Sequence, residues 1–266
     1  MADTSILVAE PKLARLDWEC DHFGWLVAQL GGADLSDDAL ADALRLAREQ
    51  GVQLLVWPAP GGRMVPPGLL DEFAGALVDR KATFSRALRP VLASDNVPPG
   101  CQLPVVPYTA TTASAALIEL ALSAGAYSRF HVDPHVPHEK FEAMYCRWIE
   151  RSVSKELADV VLVVPLNRHD TAPHERLGGM ITLSESGGVA SIGLVAVNAA
   201  VRGMGIGTGL MRAAHCWMRD RGAHEARVVT QLANPAACRL YERSGYGLSR
   251  VQHYYHFRPS ARSQES

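Results

Sequence analysis

The chain has 266 residues, 48% hydrophobic and 20% charged, which excludes a disordered or fibrous protein. Its formal net charge of −2 excludes a global field that recruits nucleic acid or anionic membrane, and no run approaches the ~20 apolar residues of a membrane span. At ~150 residues per domain the length suits two domains, enough to bury a core without a disulfide or metal staple.

In chain order, Trp25 to Leu30 reads as a strand, and Ser36 caps a helix over Asp37 to Gln50 with acidic residues in its first turn. Val52 to Trp57 reads as a strand, PAPGG as a turn, Pro66 to Asp79 as a helix and Ala82 to Leu88 as a strand. This makes a small α/β domain over 1–95 with no phosphate loop. Proline and glycine crowd Ala93 to Pro107, which reads as a linker. A second domain over 104–260 follows: a strand at Val105 to Ala110, helices at Ala113 to Gly125 and Glu139 to Ser152, then strands at Asp159 to Pro165, Gly178 to Ser184 and Val189 to Val197. Gly187-Gly188 signals a hairpin between the last two. A helix from Ile206 to Arg221, a strand at Arg227 to Leu232, a helix from Asn234 to Ser244 and a strand at Tyr246 to Phe257 complete it. The expected fold class is α/β with a mixed sheet.

Cys20, Cys101, Cys146, Cys216 and Cys238 are odd in number, far apart and form no CxxC pair, so they read as reduced thiols in a cytoplasm. The start, MADTSILVAEPK, lacks a signal-peptide pattern, and the ten histidines show no HExxH spacing, so no metal is expected. Arginine outnumbers lysine 22 to 4, leaving many planar forks able to grip phosphate or carboxylate.

The most informative run is Arg202-Gly203-Met204-Gly205-Ile206-Gly207-Thr208-Gly209, which follows an apolar strand and opens an amphipathic helix. Such a junction offers unpaired N–H groups at the positive end of the helix dipole, and glycine lets a phosphate approach them. A strict GxGxxG would need glycine at Leu210 or Thr208, and a Walker loop needs a Gly-Lys-Ser/Thr ending; neither is present. The plain alternative is a glycine turn capping a core helix. Further on, Asn234 and Pro235 open a short helix that Gly245 closes, with Tyr241 two turns along on the same face as Asn234. The plain alternative for Tyr241 is a half-buried core tyrosine.

The first run fits Gln/Arg-x-x-Gly-x-Gly/Ala, and the second fits Asn-x-x-Ala-x-x-Leu-Tyr-x-x-x-Gly-Phe/Tyr at every named position. Together they resemble the GNAT superfamily of acyl-CoA-dependent N-acyltransferases. The resemblance implies a GNAT fold in the second domain, preceded by a smaller, partly GNAT-like one, with acetyl-CoA as co-substrate. It assigns Arg202, Gly203, Gly205, Ile206, Gly207, Thr208 and Gly209 to the coenzyme diphosphate. By the same resemblance the backbone of Leu194, Val195 and Val197 pairs with the pantetheine arm, Asn234 and Ala237 contact that arm, and Tyr241 is the acid that protonates the departing thiolate. A phenol with pKa ~10 holds its proton at neutral pH.

Gly125-Ala126-Tyr127-Ser128-Arg129-Phe130, Asp133-Pro134 and Trp148-Ile149-Glu150 are similar to the dTDP-fucosamine acetyltransferases. So are Leu16-Asp17-Trp18-Glu19 with Phe23-Gly24, and Thr230-Gln231 with Tyr254-Tyr255; His22 departs from that family's first phenylalanine. This narrower resemblance implies an acceptor amine on a nucleotide-linked amino-deoxysugar. Arg129 would hold its phosphates, and His131, Asp133 and His135 would meet sugar hydroxyls or the amine; the plain alternatives are an Arg129 ion pair and solvated histidines. A small-molecule acceptor and a homodimer are the partners expected, with no nucleic acid or membrane. Val189 to Val197 carries no Asp or Glu to serve as base, leaving His135, His131 or Glu185 through water, or an amine arriving neutral. Alternatives are an acetyltransferase of the same fold for an antibiotic, a polyamine or a protein N-terminus, and a non-catalytic acyl-CoA-binding regulator.

Overall fold

The computed structural model describes residues 12–32, 34–88, 104–166 and 175–260. It divides into two compact units, 1–81 with 251–266, and 82–250. The expected division at 1–95 and 104–260 differs in giving Ala82 to Leu88 to the first domain and the last strand to the second. Residues 93–103 of the expected linker, with Cys101, lie outside the described residues. The other four cysteines are free.

In the first unit, β1 (Leu13–Arg15), α1 (Asp17–Phe23), β2 (Val27–Leu30), α2 (Asp37–Glu49), β3 (Leu54–Pro60) and α3 (Pro67–Glu72) follow in order. Strand β4 (Ala76–Ala87) begins here and runs on into the second unit; β10 (Gly247–Phe257) begins in the second and ends here. The strands lie in the order β1-β2-β3-β10. β2 and β3 are parallel and joined through α2, while β10 returns antiparallel to β3, Tyr255 opposite Trp57. Trp57, Phe73, Tyr255 and Phe257 fill the core with Leu40 and Leu44 of α2. Ser36 caps α2 as expected, accepting from the Ala39 N–H.

The helix expected over Pro66 to Asp79 stops at Glu72. Phe73 turns into the core, Ala74 takes a φ of 44°, and a Cβ on Gly75 would stand 2.6 Å from the Phe257 ring, so only glycine fits there. The residues from Ala76 belong to β4, whose buried Ala82 and Phe84 alternate as a strand requires. α1 was not expected: it has no side-chain N-cap and is held by Cys20, whose Sγ accepts from the Val27 N–H.

The second unit holds the rest of β4, then β5 (Val106–Pro107), α4 (Ala115–Ala124), α5 (Arg129–Val132), α6 (His138–Val153), β6 (Val160–Pro165), β7 (Leu177–Ser186), β8 (Val189–Val197), α7 (Ile206–Asp220), β9 (Glu225–Gln231) and α8 (Pro235–Arg243). Its strand order is β4-β9-β8-β7-β6-β5; β5 to β8 are successively antiparallel, and β8 and β9 are parallel. The Gly187-Gly188 hairpin is present, both residues at positive φ. The strand expected over Val105 to Ala110 shrinks to two residues. Leu162, Val164, Ile181 and Leu183 form one core with α7 and α8, and α4 and α6 pack together against β6 to β8 outside that core. No helix among the described residues is long and apolar enough to cross a membrane.

Candidate coenzyme and acceptor site

The site in the second unit starts from an irregularity in β8. Ile181 pairs with Val195, but two residues on Leu183 pairs with Ile192, so Gly193 and Leu194 together oppose Thr182. This is a β-bulge, which bends the strand that carries the extra residue. A Cβ on Gly193 would lie 2.7 Å from Thr182 Oγ1, and that hydroxyl accepts the Leu194 N–H at 2.8 Å. At the same point the parallel pairing with β9 ends, at Ile192 opposite Val228. The Asn198 N–H donates to Gly178 on β7, so by strand alternation Ala196 faces β7 as well, and the N–H groups of Val195 and Val197 face the opened edge. Of the three backbone positions expected to meet a pantetheine arm, Leu194 therefore has its N–H engaged, while Val195 and Val197 point theirs into the gap.

A 3₁₀ turn at Ala199–Val201, capped by Asn198 accepting from the Ala200 N–H, leads from β8 into the glycine loop. Gly203 and Gly205 take φ values of 83° and 76°, with open space where their side chains would be. They are glycines for conformation, not for want of room inside the protein. The first N–H turned back into α7 is that of Gly209, on the Gly205 carbonyl at 2.9 Å; the N–H groups from Gly203 to Thr208 find no acceptor among the described residues. Gly209 is thus part of the helix, not a free donor. Ile206 is buried and serves as the anchor: β-carbons on Gly178 or Gly179 would come within 3.0 Å of its side chain, so β7 is bare where the first turn of α7 presses on it. Arg202 is exposed at the rim, its Nε 3.4 Å from the Val197 carbonyl. Thr208 is exposed, and a Cβ on Gly207 would point between Leu240 of α8 and Val197 of β8, at 3.5 and 3.7 Å.

Asn234 caps α8, its Oδ1 accepting from the Ala237 N–H at 3.1 Å, which leaves the side-chain amide N–H groups for a guest. Tyr241 is 4% exposed, between the rings of Phe84 and Tyr246 at 5.9 and 6.2 Å. Its hydroxyl makes no hydrogen bond among the described residues. Burial, with Tyr246 and Cys238 nearby, pushes its pKa well above the usual phenol value, so it stays protonated at all ordinary pH.

The far end of α8 is held by residues that sequence reading missed. Arg86 of β4 donates to the Ser244 carbonyl and approaches His215 Nδ1 at 3.4 Å; His215 Nε2 lies 3.0 Å from the Tyr246 hydroxyl. A guanidinium has only donors, so Nδ1 accepts and Nε2 carries the proton, making His215 neutral. Burial, then Arg86 and Arg219, lower its pKa from 6.5 to about 4. The one available signal was a histidine on the apolar stripe of α7.

The loop expected to face the acceptor contains α5. α6 leads directly into β6 and runs back against it, so the start of α6 lies at the end of β6 marked by Pro165. β8 is two antiparallel steps from β6, hence parallel to it, and Val197 marks the same end. There Asp133 is 2% exposed, and its Oδ1 accepts the His135 N–H at 3.0 Å and lies 3.3 Å from His135 Nδ1. The His135 ring is exposed. His131 packs against Phe141 and His138, ring centroids 4.7 and 5.7 Å away, and the Arg129 guanidinium lies 4.5 Å over Phe130. Glu185 is not placed to act as base. It accepts the Gly188 N–H inside the hairpin and pairs with Ala190, seven residues or about 20 Å along β8 from Val197.

The family model described as Acetyltransferase (GNAT) family matches residues 134–246. A curated relative, the dTDP-fucosamine acetyltransferase of Escherichia coli O6:H1, is 34% identical over 131 residues, which are 49% of this chain and 53% of that protein. The chain thus spans about half the length of the relative it matches. Among solved structures, a functionally unknown conserved protein from Staphylococcus epidermidis superposes with a TM-score of 0.60 at 12% identity, over 97% of this chain and 98% of that one. A GCN5-related N-acetyltransferase from Sphaerobacter thermophilus superposes with a TM-score of 0.53 at 15% identity, over 94% and 76%. These two likenesses concern the fold. The bulged strand, the glycine loop and the match to the Acetyltransferase (GNAT) family model coincide in one stretch of sequence, residues 134–246.

Proposed function

We propose that the protein transfers an acetyl group from acetyl-CoA to a primary amine. The observation that carries this reading is the pairing of an opened β8 edge with a run of unengaged N–H groups at the start of α7. A diphosphate seats on such a run, where the helix dipole adds to the N–H groups and Arg202 adds a fork at the rim. The pantetheine arm then pairs with Val195 and Val197 and passes Asn234 and Ala237 toward Tyr241.

In the transfer, the amine lone pair attacks the thioester carbonyl and a tetrahedral oxyanion forms. A backbone N–H on the opened edge of β8 stabilises it, an effect worth ~3–4 kcal/mol per donor. The C–S bond breaks, the Tyr241 hydroxyl gives its proton to the thiolate, and the proton shed by the attacking nitrogen restores the hydroxyl. Burial keeps the Tyr241 hydroxyl protonated in the resting site, so a proton is present there when the thiolate forms.

The narrower reading is an acceptor amine on a nucleotide-linked amino-deoxysugar, supported by the E. coli relative's name and by residues 129–135 at the same sheet end as Val197. Arg129 would meet the acceptor's phosphates, and His131, Asp133 and His135 its sugar or amine. The test is release of free thiol from acetyl-CoA with nucleotide-linked amino sugars set against simple amines. Turnover with neither class removes the enzymatic reading; turnover with simple amines alone removes the sugar.

A further inference from the structure

The groups that hold the far end of α8 in place have no role in the chemistry just described. α8 has only nine residues, too few to be stable as an isolated helix, so its position depends on what grips its ends. At its start it is gripped by its own Asn234. At its end the grip comes from elsewhere in the chain: Arg86 holds the Ser244 carbonyl and faces His215 Nδ1, and His215 Nε2 faces the Tyr246 hydroxyl. Gly245 between them has a φ of 83°, and a Cβ there would lie 3.3 Å from the Arg86 guanidinium. His215 belongs to α7, the helix whose first turn is the anion cradle, and lies on its buried stripe with Leu210, Met211, Ala214 and Met218. An apolar residue at that position would pack without needing partners, whereas a buried imidazole needs both nitrogens satisfied.

We infer that His215, through Tyr246 and Arg86, is a positioning residue that locks the end of α8 to α7 and so fixes the Tyr241 hydroxyl relative to the coenzyme cradle. This rests on the proposed acetyl transfer. Tyr241 stands three residues before Ser244, within one turn of the lock, so loosening the lock displaces the phenol while the cradle, anchored separately by Ile206 on Gly178 and Gly179, keeps its shape. A displacement of about 1 Å at a catalytic group can cost on the order of a hundredfold in rate.

The test uses the full chain with His215→Phe, which keeps a ring but loses both hydrogen bonds, His215→Gln, which keeps a donor near Nε2, and Tyr246→Phe, which removes only the hydroxyl. Folding is checked by thermal unfolding. Expected is a fall in kcat of tenfold or more for His215→Phe and Tyr246→Phe, with KM for acetyl-CoA within about twofold, and partial recovery in His215→Gln. Amide hydrogen exchange, which needs no activity, is expected to quicken at Tyr241 to Tyr246 and stay unchanged at Gly203 to Leu210. Wild-type kcat in both phenylalanine variants, or unchanged exchange at the end of α8, overturns the inference. A wild-type chain that turns over no amine overturns the enzymatic reading instead, and the exchange experiment still decides whether the lock exists.

Discussion

The first turn of α7 and the last turn of α8 are built in opposite ways. The first is main chain: unengaged N–H groups, two glycines at positive φ with open space around them, and one buried isoleucine as anchor. The second is side chain: an arginine, a histidine and a tyrosine from three stretches of sequence, closed over one another. A binding surface for a diphosphate benefits from donors that are already in place and unobstructed. A group that must give up a proton at one position benefits from being held.

Four substitutions or conditions would break or sharpen this contrast. Tyr241→Phe removes the proposed acid and leaves the proposed cradle, so kcat for thiol release should fall about a hundredfold or more with little change in the Kd for acetyl-CoA by calorimetry. Second is pH. His215 titrates near pH 4 when folded against an ordinary 6.5, so between those values the unfolded chain binds a proton that the folded chain refuses. Stability is full above pH 6.5 and falls as pH drops toward 4, by at most about 3–4 kcal/mol at ~1.4 kcal/mol per pKa unit. Urea unfolding at pH 7, 5.5 and 4.5 measures this, and the slope should flatten in His215→Phe.

Gly245→Ala combines a left-handed backbone with a close approach to Arg86 and should cost about 1–2 kcal/mol in the same unfolding experiment. Gly207→Ala is the converse. Its methyl meets Leu240 and Val197 at ordinary contact distance, so the fold should hold or gain slightly, alanine being the better helix former by up to ~1 kcal/mol. The same methyl points into the gap between β8 and α8, and acetyl-CoA binding should weaken about tenfold. A variant that binds acetyl-CoA normally would show that the gap is not the coenzyme's path.

The contrast also explains what could be read from sequence. The cradle lies in eight consecutive residues, and its cause, glycine where the backbone needs positive φ, is local. The Asn234 cap and the Gly245 stop are local too. The lock joins residues 86, 215 and 246, whose proximity depends on the sheet order, and no local pattern shows it. The bulge is intermediate: Gly193 stands inside an apolar strand, but the partner that requires it, Thr182, sits across the hairpin. The misread helix over Pro66 to Asp79 has the same origin. Leu69, Leu70, Phe73 and Leu77 keep helical spacing, and nothing local shows that Gly75, just past the helix end, lies against the ring of Phe257, nearly two hundred residues on.

That ring has a consequence for how the chain comes to be folded. Tyr255 and Phe257 fill the core of a unit whose other strands are made before the whole of the second unit. At ~5–20 residues per second, the ribosome needs on the order of ten seconds or more to go from Lys81 to Val251. Through that interval β3 has no antiparallel partner along one side, and Trp57 lacks the ring of Tyr255 that packs against it. The first unit is begun before the second and finished after it, and the nascent chain carries an unpaired apolar edge until β10 arrives.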